Sequence, residues 1–159
     1  MGIVRRIFRL RAISLGVTNR NSRLSALIDP FDNDGAADLL DELREAPADE
    51  VHELLASSLR GAVDLAPSEY LEKDYAEAAV AAAAIVGAIR QGNSALVERR
   101  RLSNVDFGSV GDLIRPALTA LSRVTSAESE LFELWLEEGQ EQHFLDSVEG
   151  IAAVLRAEV

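Results

Sequence analysis

The sequence predicts an all-α fold, a compact single-domain bundle of about six helices around a central alanine-rich helix. Three observations lead to this prediction. From Asp29 onward, apolar residues recur at the three- and four-residue spacing of amphipathic helices. No segment shows the period-two alternation between hairpin turns that is typical of paired strands. Between Tyr75 and Arg90, eight of sixteen residues are alanine, which is typical of a buried helix that its neighbours approach closely.

Charge divides the chain into a basic N-terminal arm, residues 1–28, and an acidic helical domain, residues 29–159. The arm contains six arginines and no acid, whereas the domain contains 10 basic and 27 acidic side chains, so the net charge of −11 combines +6 with −17. An acidic domain repels nucleic-acid phosphates and attracts a basic protein or divalent cations. Because cysteine is absent, no disulfide, thiolate metal site or thiol nucleophile is available.

The arm has two interpretations. Residues 1–15 could form a helix with apolar side chains on one side, which would touch an anionic membrane or fold back onto the acidic domain. Alternatively, the arm is a frayed extension or a misassigned translation start. The arginines are not followed by the apolar run of about 7–15 residues that a secretory signal needs, and we therefore expect a cytoplasmic protein.

Capping residues and prolines delimit the first two helices of the domain. We expect the first from about Gly35 to Arg44, because the residue before Pro47 is steered out of the α region. Its start can be capped by Asp32, Asn33 or Asp34. The second is expected from about Ala48 to Gly61, with Asp49 and Glu50 at the positive end of its dipole.

The alanine-rich helix is expected from about Asp74 to Gln91 and ends at Gly92. Its apolar part contains sixteen residues and spans roughly 24 Å, whereas a helix that crosses a bilayer needs ~20 residues. Glu77 also interrupts the apolar run. We therefore predict no transmembrane segment.

The C-terminal half is predicted to contain one connection and three helices. The connection runs from Asn93 to Gly111 and contains Arg99, Arg100 and Arg101, which we interpret as a solvated loop or helix end, or alternatively as a partner contact. The next helix carries apolar residues from Leu113 to Val124 and tolerates Pro116 only in its first turn. The last two are expected from about Ala127 to Glu138 and from about Gln140 to Ala157, separated by Gly139.

The segment F-D-N-D-G-A-A-D-L-L, which begins at Phe31, resembles the start of a bacterial family of unknown function. Its members carry the pattern F-x-N-D-x-A-x-D after a W-G-x-G segment. The matching residues here are Phe31, Asn33, Asp34, Ala36 or Ala37, and Asp38. The alanine-rich helix and the tail from Ser129 to Trp135 also look like later segments of that family. No W-G-x-G precedes Phe31, where the arm stands instead. The resemblance implies a compact helical protein without an assigned activity.

The acidic segment also permits a calcium hypothesis, since D-N-D-G mimics the middle of an EF-hand loop. That register puts Pro30 at position one, where it offers no side-chain oxygen, and Asp41 at position twelve, where glutamate is usual. Helix capping with a negatively charged face is the favoured alternative.

A magnesium site is the second hypothesis, since carboxylates three or four residues apart share one face of a helix. The pairs that we single out are Glu69 with Glu72 and Asp38 with Asp41. Helical nucleotide pyrophosphohydrolases bind magnesium and triphosphate with such pairs. In a chain this acidic, however, the spacing arises often by chance.

No other chemical motif stands out. His52 and His143 are the only imidazoles and lack the context of a metalloprotease or serine hydrolase. Trp135, Phe132 and Phe144 could line a ligand pocket, but their helical spacing favours a place in the core.

We therefore predict a non-enzymatic interaction module, of the immunity or antitoxin type, that offers an acidic face to a basic partner and needs no cofactor. The partner-binding residues are predicted to be Asp32, Asp34, Asp38, Asp41, Glu42 and Glu45. One alternative is the magnesium-dependent pyrophosphohydrolase, and another is a structural homodimer that buries leftover apolar helix surface.

Overall fold

The computed structural model describes residues 29–159, so the predicted arm lies outside the described residues. The elements are α1 Asp34–Glu45, α2 Ala48–Val63, α3 Lys73–Arg90, α4 Ser94–Arg99, a 3-10 turn Gly111–Leu113, α5 Ile114–Val124, α6 Glu130–Glu137 and α7 Glu141–Arg156. Residues 29–159 form helices and no β-strand, and the prediction of an all-α bundle is confirmed.

The segment that was predicted as a connection, from Asn93 to Gly111, contains the short helix α4. Asn93 caps this helix, since its Oδ1 accepts a hydrogen bond from the Leu96 N–H at 3.1 Å. Six residues are too few for an apolar period to show in the sequence, which explains why six helices were expected and seven are observed within residues 29–159.

The alanine-rich helix α3 lies at the centre of the bundle, as predicted. It contacts all six of the other helices in the described part, and its residues from Ala79 to Ala88 are all buried. Small side chains allow this close contact. At Gly87, for example, an added Cβ would lie 3.1 Å from Val154 Cγ1 on α7. Within residues 29–159, no helix is both long and apolar enough to cross a membrane.

In the part of the chain that the structure describes, three helices end in the same hydrogen-bonded motif. After α3, α4 and α6, the residue beyond the C-cap has a positive φ, and the following N–H bonds the carbonyl five residues back. Gly92 and Gly139 occupy this position after α3 and α6, with φ values of +66° and +67°. After α4 the position is held by Arg101, with φ +57°.

A pair of extended segments joins the start of α3 to the start of α6. The Leu71 N–H bonds the Glu128 carbonyl at 2.8 Å, and the Glu130 N–H bonds the Leu71 carbonyl at 2.9 Å. The Glu130 carboxylate then accepts a hydrogen bond from the Lys73 N–H at 2.7 Å, which satisfies one of the free amide groups of α3. The entry to the central helix is therefore fixed by residues more than fifty positions later in the chain.

Candidate functional site

The six carboxylates predicted to bind a partner are all exposed, on α1 and the turn before it. They are Asp32, Asp34, Asp38, Asp41, Glu42 and Glu45, and together we call them the acidic face. The opposite side of α1 is buried through Leu39, Leu40 and Leu43. Asp41 also forms an ion pair with Arg44, at 2.6 Å. The carboxylates are thus accessible to another molecule, and their use by a partner stays a prediction.

Asn33 is the residue that caps α1. Its Oδ1 accepts a hydrogen bond from the Ala36 N–H at 2.8 Å, while its Nδ2 donates to the Pro30 carbonyl at 3.2 Å. Asparagine is among the most favourable capping residues because its side-chain oxygen replaces a missing backbone acceptor. Of the three candidate caps, Asn33 performs this role, which leaves the carboxylates of Asp32 and Asp34 in solvent.

The first turn of α1 docks on a buried carboxylate of α3. Glu77 is only 1% exposed, and its Oε2 accepts a hydrogen bond from the Gly35 N–H at 3.1 Å. Its Oε1 lies 3.4 Å from Lys73 Nζ, one turn earlier on α3. The negative charge is placed at the positive end of the α1 dipole, where it is stabilised.

The ionisation of this pair is shaped by burial and by charge. Burial raises the pKa of Glu77 above its usual value, although the Gly35 N–H and the Lys73 ammonium oppose that shift. Burial acts to lower the pKa of Lys73, but Asp74 and Glu77 outweigh it and raise the pKa. Each group therefore favours the charged form of the other, and together they form a largely buried ion pair beneath the acidic face.

Gly35 allows α1 to approach α3 this closely. A Cβ at this position would lie 2.6 Å from the Asp74 carbonyl oxygen and 2.8 Å from Glu77 Cβ. Real Cβ atoms essentially never come within 3.0 Å of such neighbours. The glycine of the D-N-D-G segment is consequently required by helix packing, in the place where a calcium loop would use glycine for a turn.

Arg100, at the end of α4, binds the segment that precedes α1. Its guanidinium forms an ion pair with Asp29 and lies 4.7 Å from the centre of the Phe31 ring, which is a cation–π geometry. Arg44 donates two hydrogen bonds to the Arg100 carbonyl, at 2.8 and 3.3 Å. The acidic face is therefore held in place from both ends of α1.

The residues of the calcium and magnesium hypotheses are placed differently from what those sites require. The chain is helical from Asp34 onward, so the proposed twelve-residue calcium loop is mostly helix. Glu69 and Glu72 lie in the linker before α3 instead of on a helix face, while Asp38 and Asp41 share the exposed side of α1. Among residues 29–159, no three His, Asp or Glu side chains are grouped as ligands for a metal ion. The magnesium alternative stays a hypothesis.

His52 pairs with a carboxylate that the sequence did not suggest. Its Nε2 lies 3.0 Å from Asp112 Oδ2, which joins α2 to the 3-10 turn. The hydrogen bond to His52 lowers the pKa of Asp112. Both side chains are exposed, and the contact joins two elements at the surface instead of forming an enclosed site. His143 lies on the exposed side of α7.

The three aromatic residues belong to the core between α6 and α7. Trp135 and Phe144 are buried and stacked, with ring centres 5.8 Å apart, and Phe132 lies 6.5 Å from Phe144. The interpretation of these residues as core is confirmed.

The described fold is that of an all-helical domain with an exposed acidic helix docked on its central helix. A family model matches residues 28–147, and the chain belongs to that family, described as "Domain of unknown function (DUF4259)". The resemblance to a family of unknown function is thereby confirmed. Neither a search of curated proteins nor a search of solved structures found a significant match.

Sequence analysis did not identify the roles of Glu77, Lys73 and Arg100. One signal was present, since Glu77 is the single charged residue inside the alanine run and Lys73 lies four positions before it. A charge in a segment that is apolar on nearly all sides needs a partner, because burying an isolated charge is costly. The identity of the partner, Gly35, depends on a contact across 42 positions that spacing does not show.

Proposed function

We propose that this protein is a non-enzymatic interaction module that presents the acidic face of α1 to a basic protein, in the manner of small immunity or antitoxin proteins. The observation that carries the proposal is that all six carboxylates are exposed while the backbone beneath them is fixed. The fixing contacts are the Asn33 cap, the bond from Gly35 to Glu77, and the contacts of Arg100. A surface that is already ordered loses little conformational entropy on binding.

Electrostatics support the same proposal. Residues 29–159 carry 27 acidic and 10 basic side chains, and such an imbalance attracts a positively charged partner over long distances. Steering of this kind raises the association rate and is weakened by salt, because the Debye length falls to about 8 Å at physiological ionic strength. Association with the partner should therefore slow steeply as salt is added.

Affinity capture at low ionic strength, from cells that also express the neighbouring genes, tests the proposal. The informative variant is Asp38→Lys/Glu42→Lys, which reverses two carboxylates of the acidic face that form no ion pair with any other residue of 29–159. The matched control is Glu137→Lys/Glu138→Lys, which makes the same change in net charge at the exposed end of α6. We expect the first variant to lose a basic partner that wild type and control retain.

Two outcomes would contradict the proposal. Recovery of no basic partner by wild type is one. The other is turnover of nucleoside triphosphates in the presence of Mg²⁺ or Mn²⁺ that disappears in the Glu69→Gln or Glu72→Gln variant, since that result would support the pyrophosphohydrolase instead.

A further inference from the structure

Arg101, which follows the C-cap of α4, is unusual when compared with the residues that follow other helices of the described part, 29–159. The same motif follows α3, α4 and α6, and glycine holds the left-handed position in the first and third. Glycine is favoured there because it lacks the Cβ that crowds the following carbonyl. Arg101 adopts this conformation with φ +57°, although glycine would make the same two backbone hydrogen bonds. Residues that keep a strained backbone conformation of this kind are found most often at functional sites, where the side chain has a role.

The Arg101 side chain has no partner among the described residues. It is exposed, and no ion pair or hydrogen bond joins its guanidinium to the rest of residues 29–159. Arg99 is also exposed, and its Nε makes one long contact with the Ala95 carbonyl, at 3.4 Å. By contrast, Arg44 and Arg100 are engaged by Asp41, Asp29 and Phe31. Two guanidinium groups at the end of α4 are thus available to an external anion.

The end of α4, which carries this pair of arginines, contacts the end of α1. Asp41 pairs with Arg44 at 2.6 Å, and Arg44 bonds the Arg100 carbonyl at 2.8 Å. Arg99 and Arg101 flank Arg100 in the chain. The end of α4 therefore adjoins the end of α1, and opposite charges on adjoining elements are an arrangement that two copies related by a twofold axis can satisfy reciprocally.

We propose that Arg99 and Arg101 of one copy bind the carboxylates of the acidic face in a second copy, with the reciprocal contact on the other side of a twofold axis. Guanidinium groups suit this role because their planar fork matches a carboxylate. The proposal rests on the proposed function in that both use the acidic face. Self-association would cover the face, and a basic protein would compete with the second copy for it.

Charge also sets the conditions under which the copies associate. Each chain carries a net −11, so two copies repel one another at long range. Near physiological salt, that repulsion is screened beyond about 8 Å, while oppositely charged groups in contact are screened less. We expect reversible association that is strongest at intermediate ionic strength and is lost in molar salt.

Sedimentation equilibrium of the full chain, over a range of concentrations, provides the test. Two charge-reversed variants are needed, Arg99→Glu/Arg101→Glu and Asp38→Arg/Glu42→Arg. Each variant alone should sediment as a monomer, because like charges then face one another at both contacts. An equimolar mixture should recover the mass of the dimer, because both contacts in the mixed pair are again between opposite charges. Arg101→Gly should fold with a higher melting temperature, because it relieves the left-handed strain, and it should associate more weakly than wild type.

Three results would overturn the proposal. They are a wild-type chain that stays monomeric at every ionic strength tested, an arginine variant that associates as wild type does, and a mixture that fails to associate although both variants have lost self-association. The arginine variant retains the whole acidic face, so it should still capture a basic protein. If neither the arginine variant nor the wild type captures a basic protein, the result would count against the proposed function and not against self-association.

Discussion

Replacing Gly35 by alanine should destabilise the protein, although alanine is normally the better helix residue. The new Cβ would lie 2.6 Å from the Asp74 carbonyl oxygen and must retreat by about 0.4 Å merely to reach the 3.0 Å limit of real contacts. The obstacle is backbone, which cannot rotate away. Overpacking costs roughly 1–3 kcal/mol. The substitution also stretches the 3.1 Å hydrogen bond from the Gly35 N–H to Glu77, and full disruption of a buried hydrogen bond costs roughly 1–3 kcal/mol. The higher helix propensity of alanine offsets at most about 1 kcal/mol of this loss.

The expected net loss is about 2 kcal/mol, which for a domain of this size lowers the melting temperature by roughly 5–10 °C. Gly150→Ala is the matched control, because Gly150 lies inside α7 with nothing within 4 Å of the added Cβ. That variant should gain roughly 0.5–1 kcal/mol. Urea unfolding followed by circular dichroism gives both values. Stabilisation by both substitutions would refute the claim that close packing of α1 on α3 requires glycine.

Three further predictions concern single charged residues. Burial raises the pKa of Glu77, so its contribution to stability is fully present below the ordinary value of 4.5 and is lost as pH rises through the folded pKa. Glu77→Gln removes that titration, and the stability of the variant relative to wild type should increase as pH rises above 4.5, measured by urea unfolding at several pH values. Arg101→Gly should raise stability by about 1 kcal/mol, since it relieves the left-handed strain. Arg100→Ala should cost about 1–2 kcal/mol, because the cation over Phe31 is lost, while Arg99→Ala should stay within about 0.5 kcal/mol in the same assay.

Local sequence signals predicted most of the helical framework. The expected first helix, from Gly35 to Arg44, lies within one residue of α1 at each end, because an asparagine cap and a proline delimit it. Pro116 lies in the first turn of α5, where its missing N–H is not needed. Gly92 ends the central helix through its positive φ. In each case the deciding interaction spans only a few residues.

Contacts between distant parts of the chain were the part that sequence reasoning could not supply. The bond from Gly35 to Glu77 spans 42 positions, and the ion pair of Arg100 with Asp29 spans 71. Such contacts depend on how helices pack, and packing depends on summed side-chain shapes instead of residue spacing. The exposure of the carboxylates on α1 could be predicted, because it follows from the spacing of apolar residues along one helix. The buried ion pair that supports the helix could not, because it depends on the packing of α1 against α3.

The segment from Phe31 to Asp38 separates residues that the fold needs from residues that it does not explain. Phe31 and Ala36 are buried, and Asn33 caps the helix. Asp34 lies in the first turn of α1, where the helix dipole stabilises an acidic side chain. None of these roles applies to Asp38, because it is exposed, lies beyond the first turn and forms no ion pair within residues 29–159. Together with Gly35, which helix packing requires, stability therefore accounts for five positions of this segment and leaves Asp32 and Asp38 as the carboxylates on which partner binding is most cleanly tested.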